Sequence, residues 1–195
     1  MHPNAGFVWT DRDELLGFIA DVSFAHIFVQ SPDGPVVAHA PIVVTADGNL
    51  QFHLARRNRA VAYLHGLTAL VSITGPDAYI SPDWYGTDDQ VPTWNYVAVE
   101  AMGLVRRLTD GELVAQVDAV SAVHEARLRP KQPWTRDKMA DGRFEVMTKG
   151  IIGFELSVTS LTGTRKLGQN KTLAERQGAI DALGDDPVAA LMAAL

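Results

Sequence analysis

Three groups of residues have types and spacings that could do chemistry. The first is a basic run, Ala55-Arg56-Arg57-Asn58-Arg59, set before a short apolar stretch that reads as a helix. Asn58 can cap that helix, and arginines beside free helix N–H groups suit a phosphate. The plain alternative is a solvated surface turn. The second group lies between Gly75 and Asn95. There Tyr79, Trp84, Tyr85, Trp94 and the adjoining Tyr96 keep company with Ser81, Thr93 and Asn95. Flat rings with hydroxyl and amide groups suit a planar heteroaromatic ligand, but an aromatic core or subunit interface explains them equally well. The third group is the histidines His2, His26, His39, His53, His65 and His124. None forms a His-x-x-x-His pair, no carboxylate set completes a zinc site, and there is no cysteine. His26, His39 and His53 fall on neighbouring strands and could converge, although single strand histidines are more often packing residues. The expectation is that no metal is bound. No nucleophile elbow, Walker loop or dinucleotide fingerprint occurs.

These residues need a scaffold, and the pattern supplies one. Thr10 ahead of Asp11 and Asp13 reads as the cap of an amphipathic helix that closes at Val22. Strands are expected at 23–30, 36–45 and 50–54, joined by Ser31-Pro32-Asp33-Gly34 and Asp47-Gly48-Asn49 turns. Pro41 within the second strand suggests an edge or a bulge. A strand at 68–74 is expected to kink at Gly75-Pro76 into 78–80. A long loop, 81–92, carries Trp84 and Tyr85, and a β-rich stretch runs from Trp94 to Leu108. Thr109 with Glu112 is a capping-box signature for the next helix, which carries Leu113, Val114, Val117, Val120 and Val123. Pro130 and Pro133 end that pattern. A helix around Met139, a strand at 151–160 and a helical tail at 171–195, broken at 184–187, complete the chain. Five or six strands on short turns suggest a mainly β, antiparallel, closed or nearly closed barrel with flanking helices.

Composition bounds the function. The 195 residues are 47% apolar and 21% charged, an ordinary globular balance for a single domain over 1–195. No apolar run approaches the roughly 20 residues of a spanning helix, so no membrane role is expected. Met1-His2-Pro3-Asn4 shows no secretory pattern, and the lack of cysteine fits the cytoplasm. Seventeen basic against 23 acidic residues give a net charge of −6, which lacks the basic excess usual in nucleic-acid binders.

Several blocks together resemble the PaiB-type family of FMN-binding proteins, known as negative transcriptional regulators. They are Gly75-Pro76-Asp77-Ala78-Tyr79-Ile80-Ser81-Pro82-Asp83-Trp84-Tyr85, Val91-Pro92-Thr93-Trp94-Asn95-Tyr96-Val97-Ala98-Val99, His39-Ala40-Pro41, His53-Leu54-Ala55-Arg56-Arg57-Asn58 and Lys166-Leu167-Gly168-Gln169-Asn170. The resemblance implies an FMN-binding split β-barrel of the pyridoxamine-phosphate-oxidase-like type, a homodimer with flavin in grooves between subunits. It assigns Arg56, Asn58 and Arg59 to the flavin phosphate, and runs His53, Leu54 and Ala55 along the flavin. His39, Tyr79, Ser81, Trp84, Thr93, Trp94, Asn95, Lys166 and Gln169 complete the implied cofactor set, part of it facing flavin held by the partner chain. Asp77, Asp83, Glu100 and Gly168 stand where the family pattern commonly has His, Ser, His and Ser. An acidic residue facing the groove would oppose an anionic flavin. The implied function is that of an FMN-binding regulator acting directly on DNA or indirectly. The alternatives are an FMN-dependent oxidoreductase or flavin reductase, a haem-handling protein with His26, His39 or His124 as first candidates for the iron, or a dimer whose groove is empty.

Overall fold

The computed structural model describes residues 2–195. Seven strands form one hydrogen-bonded sheet: β1 (Val8–Trp9), β2 (Phe24–Ser31), β3 (Gly34–Val44), β4 (Leu50–Ala55), β5 (Thr68–Ile80), β6 (Thr93–Arg107) and β7 (Ile151–Lys166). The sheet order is β1-β7-β4-β3-β2-β5-β6, and β6 also pairs with β7. The pairings therefore return on themselves through six strands. The helices are α1 (Arg12–Val22), the single turn α2 (Val61–Leu64), α3 (Asp110–Ala126), α4 (Arg143–Thr148), α5 (Leu173–Leu183) and α6 (Pro187–Ala193). Among the described residues no helix is long and apolar enough to cross a membrane.

The backbone groups into two compact units. One comprises residues 16–73 and 100–161. It is built on the β2–β3 hairpin, whose register runs from Phe24 opposite Pro41 to Ser31 opposite Gly34. β4 then pairs with β7 from Leu50 opposite Leu156 to Ala55 opposite Ile151. Strand alternation sends Leu50, Phe52 and Leu54 inward, where Phe52 stacks on Phe154 with ring centroids 5.6 Å apart. Gln51, His53 and Ala55 take the opposite face. The other unit comprises residues 1–15, 74–99 and 162–195. Its interior holds Trp9, Leu15, Ile80, Tyr85, Val97, Leu167 and Met192. The sequence expectation of a helical tail is met by α5, with a Thr172–Glu175 capping box, and by α6, capped by Asp186.

Several local expectations change. Asp11, not Thr10, caps α1, because its carboxylate accepts from the Glu14 N–H at 2.9 Å. Pro41 is neither on an edge nor in a bulge: β3 lies between β2 and β4, and its ladder with β4 begins at Ile42, so the missing N–H falls just outside that ladder. β5 continues as one strand through Gly75-Pro76, and its buried side switches there from Ala69, Val71 and Ile73 to Ala78 and Ile80, as the expected kink requires. Its ladder with β2 is confined to Ala69–Ser72, so the proline lies beyond it. Met139 sits between a short 3-10 turn and α4 rather than within a helix. β7 is longer than expected, continuing to Lys166.

Gly103 on β6 marks the tightest strand approach. A Cβ there would stand 1.8 Å from the carbonyl oxygen of Ser157 on β7, a backbone atom that cannot turn aside. Gly103→Ala is therefore expected to cost about 3 kcal/mol or more through overpacking. Urea unfolding should show a lower midpoint at an unchanged slope, whereas an unchanged midpoint contradicts the close approach.

Candidate functional site

In the unit of residues 16–73 and 100–161, α3 lies over the polar face of β4, as its ties to Gln51, His53 and Glu155 show. The helix starts at a complete capping box between Thr109 and Glu112. Arg106 spans from Glu155 Oε1 at 2.9 Å to Glu112 Oε1 at 2.8 Å, and Gln51 donates to Glu155 Oε2 at 2.7 Å. The guanidinium of Arg106, with the Thr109 N–H and hydroxyl, holds the Glu112 carboxyl down at about 2. Both carboxylates in turn push Arg106 up. Further along the helix, Gln116 Oε1 lies 2.9 Å from His53 Nδ1. Gln116 is buried, and its Nε2 has no partner. Gly153 opposite His53 lies under two leucines: a Cβ there would come within 2.9 Å of Leu108 Cδ1 and 3.1 Å of Leu113 Cδ1, and both side-chain ends would have to shift.

β4 ends in the basic turn, and the structure separates its arginines. The Arg56 Nε donates to the Lys149 carbonyl at 2.8 Å and Nη2 to that of Ile151 at 3.4 Å. It borders a cleft of about 330 Å³ shared with Asp110, Glu145 and Lys149. Arg59 instead borders a groove of about 410 Å³ with Ser31, Asp33 and Tyr63. Arg57 and Arg59 are exposed and make no hydrogen bond or ion pair among the described residues. Asn58 closes the turn upon itself: its side chain accepts from the Ala60 N–H at 2.9 Å and its carbonyl from the Val61 N–H at 3.1 Å. These N–H groups are thus already used, and α2 is one turn long. The helix-terminus part of the phosphate expectation falls away, because a single turn sums few peptide dipoles. The arginine side chains remain. Leu54 is buried in the core and Ala55 is exposed. His39 is exposed on β3, edge-on to His26 at 4.9 Å.

In the other unit, Tyr79 and Trp94 are the exposed rings, meeting edge to face at 6.3 Å. Trp94 borders an open groove of about 290 Å³ with Thr74, Gly75, Asp77, Tyr96 and Val97. Lys166 donates to the Thr93 hydroxyl and the Trp94 carbonyl. Burial, then the nearby Lys171, pushes its ammonium down. The remaining expected residues are occupied locally. Asn95 is buried with its amide on the Met192 sulfur at 3.3 Å. Gln169 bridges the Leu167 N–H and the Arg165 carbonyl. Ser81 accepts from the Asp83 N–H at 3.4 Å. Trp84 is half-buried, and its carbonyl lies where a Cβ on Gly178 would fall, 2.2 Å away. Tyr85 is buried under Lys171, 4.3 Å above its ring, and burial with Glu175 pushes its phenol up.

A family model described as "Putative FMN-binding domain" matches residues 1–160. The chain belongs to this family, the PaiB-type FMN-binding proteins, whose cofactor is FMN. It is 29% identical over 184 residues to the protease synthase and sporulation protein PAI 2 of Bacillus subtilis, covering 92% of this chain and 87% of that one. Among solved structures, the FAD and heme binding protein of Mycobacterium smegmatis superposes with a TM-score of 0.59 at 18% identity, over 92% of this chain and 81% of that one. A conserved hypothetical protein of Mycobacterium tuberculosis gives 0.60 at 12% identity, over 85% and 91%. The fold is that of the antiparallel split barrel. The chain's own residues fit the family's cofactor in one respect: unpaired guanidiniums on the exposed β4 turn can meet a phosphate without breaking an existing bond.

The sequence reading did not find Arg106, Glu155 or Gln116, which seat α3. Glu112 is held below the usual carboxylate range, so its stabilising effect is present above about 4.5 and is lost as pH falls toward about 2. Glu112→Gln is therefore expected to flatten the fall in melting temperature between those two pH values. A fall as steep as in the unchanged protein removes this ion pair from acid stability.

Proposed function

We propose that this chain is an FMN-binding homodimer that couples flavin binding to negative regulation of gene expression, acting indirectly rather than by reading bases. The observation that carries the cofactor part is the β4 turn, an exposed arginine-bearing segment inside the span matched by the FMN-binding family. In this reading Arg59, with Arg56 and Asn58 shaping the turn, holds the flavin phosphate. The turn's arginines offer charge-assisted bonds to a dianion, and Asp33 across the Arg59 groove limits how much negative charge that side accepts. His53 and Ala55 run beside the flavin. Tyr79, Thr93, Trp94 and Lys166 of a second copy face the ring system.

A homodimer is supported by the outer face of β2, β3 and β5. Phe24 and Phe28 are 51% and 38% exposed there, in register with Pro41 and Val37 and, for Phe28, with Leu70. The two phenylalanines flank the His26–His39 pair and Ser72 on this face, so the surface offered to a second copy is apolar at its ends and polar between them. The regulatory part rests on the resemblance to the PaiB-type family; the Bacillus subtilis relative is named a protease synthase and sporulation protein. The net charge of −6 favours an indirect route over direct phosphate neutralisation on DNA. The open groove beside Trp94 favours a second reading, an FMN-dependent oxidoreductase with a substrate seated there. Flavin reduction by NADH or NADPH under turnover separates the two.

Titrating FMN into Arg59→Ala tests the phosphate assignment. Losing a charge-assisted contact costs about 1.5–3 kcal/mol, or roughly 10- to 150-fold in affinity. The loss should shrink at high salt. Unchanged affinity at low salt removes Arg59 from the site.

A further inference from the structure

His53 and Gln116 leave one polar atom stranded between them. His53 Nδ1 stands 2.9 Å from Gln116 Oε1. With the amide in this sense the ring carries its proton on Nδ1, and both N–H bonds of the Gln116 Nε2 go without a partner in a side chain only 1% exposed. Buried N–H groups are the costlier ones to orphan, while an underused carbonyl oxygen is tolerated better. The two ends of a carboxamide are nearly equal in size, so half a turn about its last side-chain bond exchanges them without disturbing the packing. Gln116 Nε2 then donates one N–H to an unprotonated Nδ1, so that one N–H and a carbonyl oxygen, rather than two N–H bonds, are left over.

The consequence falls on the other ring nitrogen. His53 Nε2 has no partner among the described residues, yet the only buried unpartnered side-chain atom among them is Gln116 Nε2. His53 Nε2 therefore reaches the surface. We propose that Gln116 is a positioning residue that fixes His53 in its Nε2–H form, so that the surface of β4 offers a hydrogen-bond donor, not an acceptor, to the flavin. Its partner there would be a carbonyl oxygen or an unprotonated ring nitrogen of the isoalloxazine. This last step rests on the FMN site proposed above, while the tautomer itself does not.

Long-range proton–nitrogen correlation spectra of the full chain without FMN, at mildly alkaline pH, read the tautomer directly. The expected pattern is a protonated Nε2 and an unprotonated Nδ1. A proton on Nδ1 overturns the proposal. In Gln116→Glu the carboxylate can only accept, so the proton should move to Nδ1. Should that buried charge prevent folding, Gln116→Met keeps the volume and should show both forms in exchange. In FMN titrations either variant should bind about 2- to 10-fold more weakly, with no further loss when His53→Ala is already present. Equal affinity in the variant and the unchanged protein overturns the ligand-directed half. If the unchanged protein shows the Nε2–H form but binds no FMN, the flavin reading fails and the positioning role stands.

Discussion

β4 is held between β3 and β7, and its strict alternation of side chains orders the features a ligand would meet. One face, Leu50, Phe52 and Leu54, is committed to the core. On the other, Gln51 and His53 are covered by α3 through paired charges and amides, while Ala55 is exposed. The strand's end is fixed in turn, because the Arg56 N–H bonds the Gly150 carbonyl and its guanidinium bonds the neighbouring carbonyls. A one-residue slip in the β4–β7 register would turn the phenylalanine pair outward and swing the basic turn away. Placing the turn and burying the core are thus one constraint.

Charge distribution follows from the same arrangement. Arg106 spends its charge inside the molecule on Glu112 and Glu155, and Arg165 does so on Glu14 while covering the Trp9 ring. What remains uncommitted at the end of β4 is Arg57 and Arg59. An acidic protein can in this way present a local basic patch, with its overall charge disfavouring nucleic acid while the turn favours a small anion. Asp77, which stands where the family pattern commonly has His, borders the groove beside Trp94. An isoalloxazine there would be selected through its uncharged faces.

Much of the fold was legible because its signals are local. Both hairpin turns, the Thr109–Glu112 cap and the broken helical tail follow from turn chemistry and capping, which depend on a few adjacent residues. Other points are decided by a neighbouring strand. β5 continues as one strand through Gly75-Pro76 because the proline lies past the β2 ladder, a fact that register alone supplies. At the candidate site, the basic run showed that arginines gather after β4, but not that Arg56 turns to Lys149 while Arg59 borders a separate groove. Gln116 carried a faint signal, a lone amide three residues after Leu113 on the helix face that packs inward. Its partner His53 lies 63 residues away, beyond the reach of any local pattern.

Sedimentation velocity followed at the visible absorbance of flavin, over a falling series of protein concentrations, tests the central claim most directly. Flavin that completes its site from two copies must tighten their association by mass action. The expected result is that FMN sediments with the dimer alone and that the dimer persists to lower concentration when FMN is present. FMN that travels with the monomer as fully as with the dimer, or that leaves the monomer–dimer balance unmoved, would contradict a shared site.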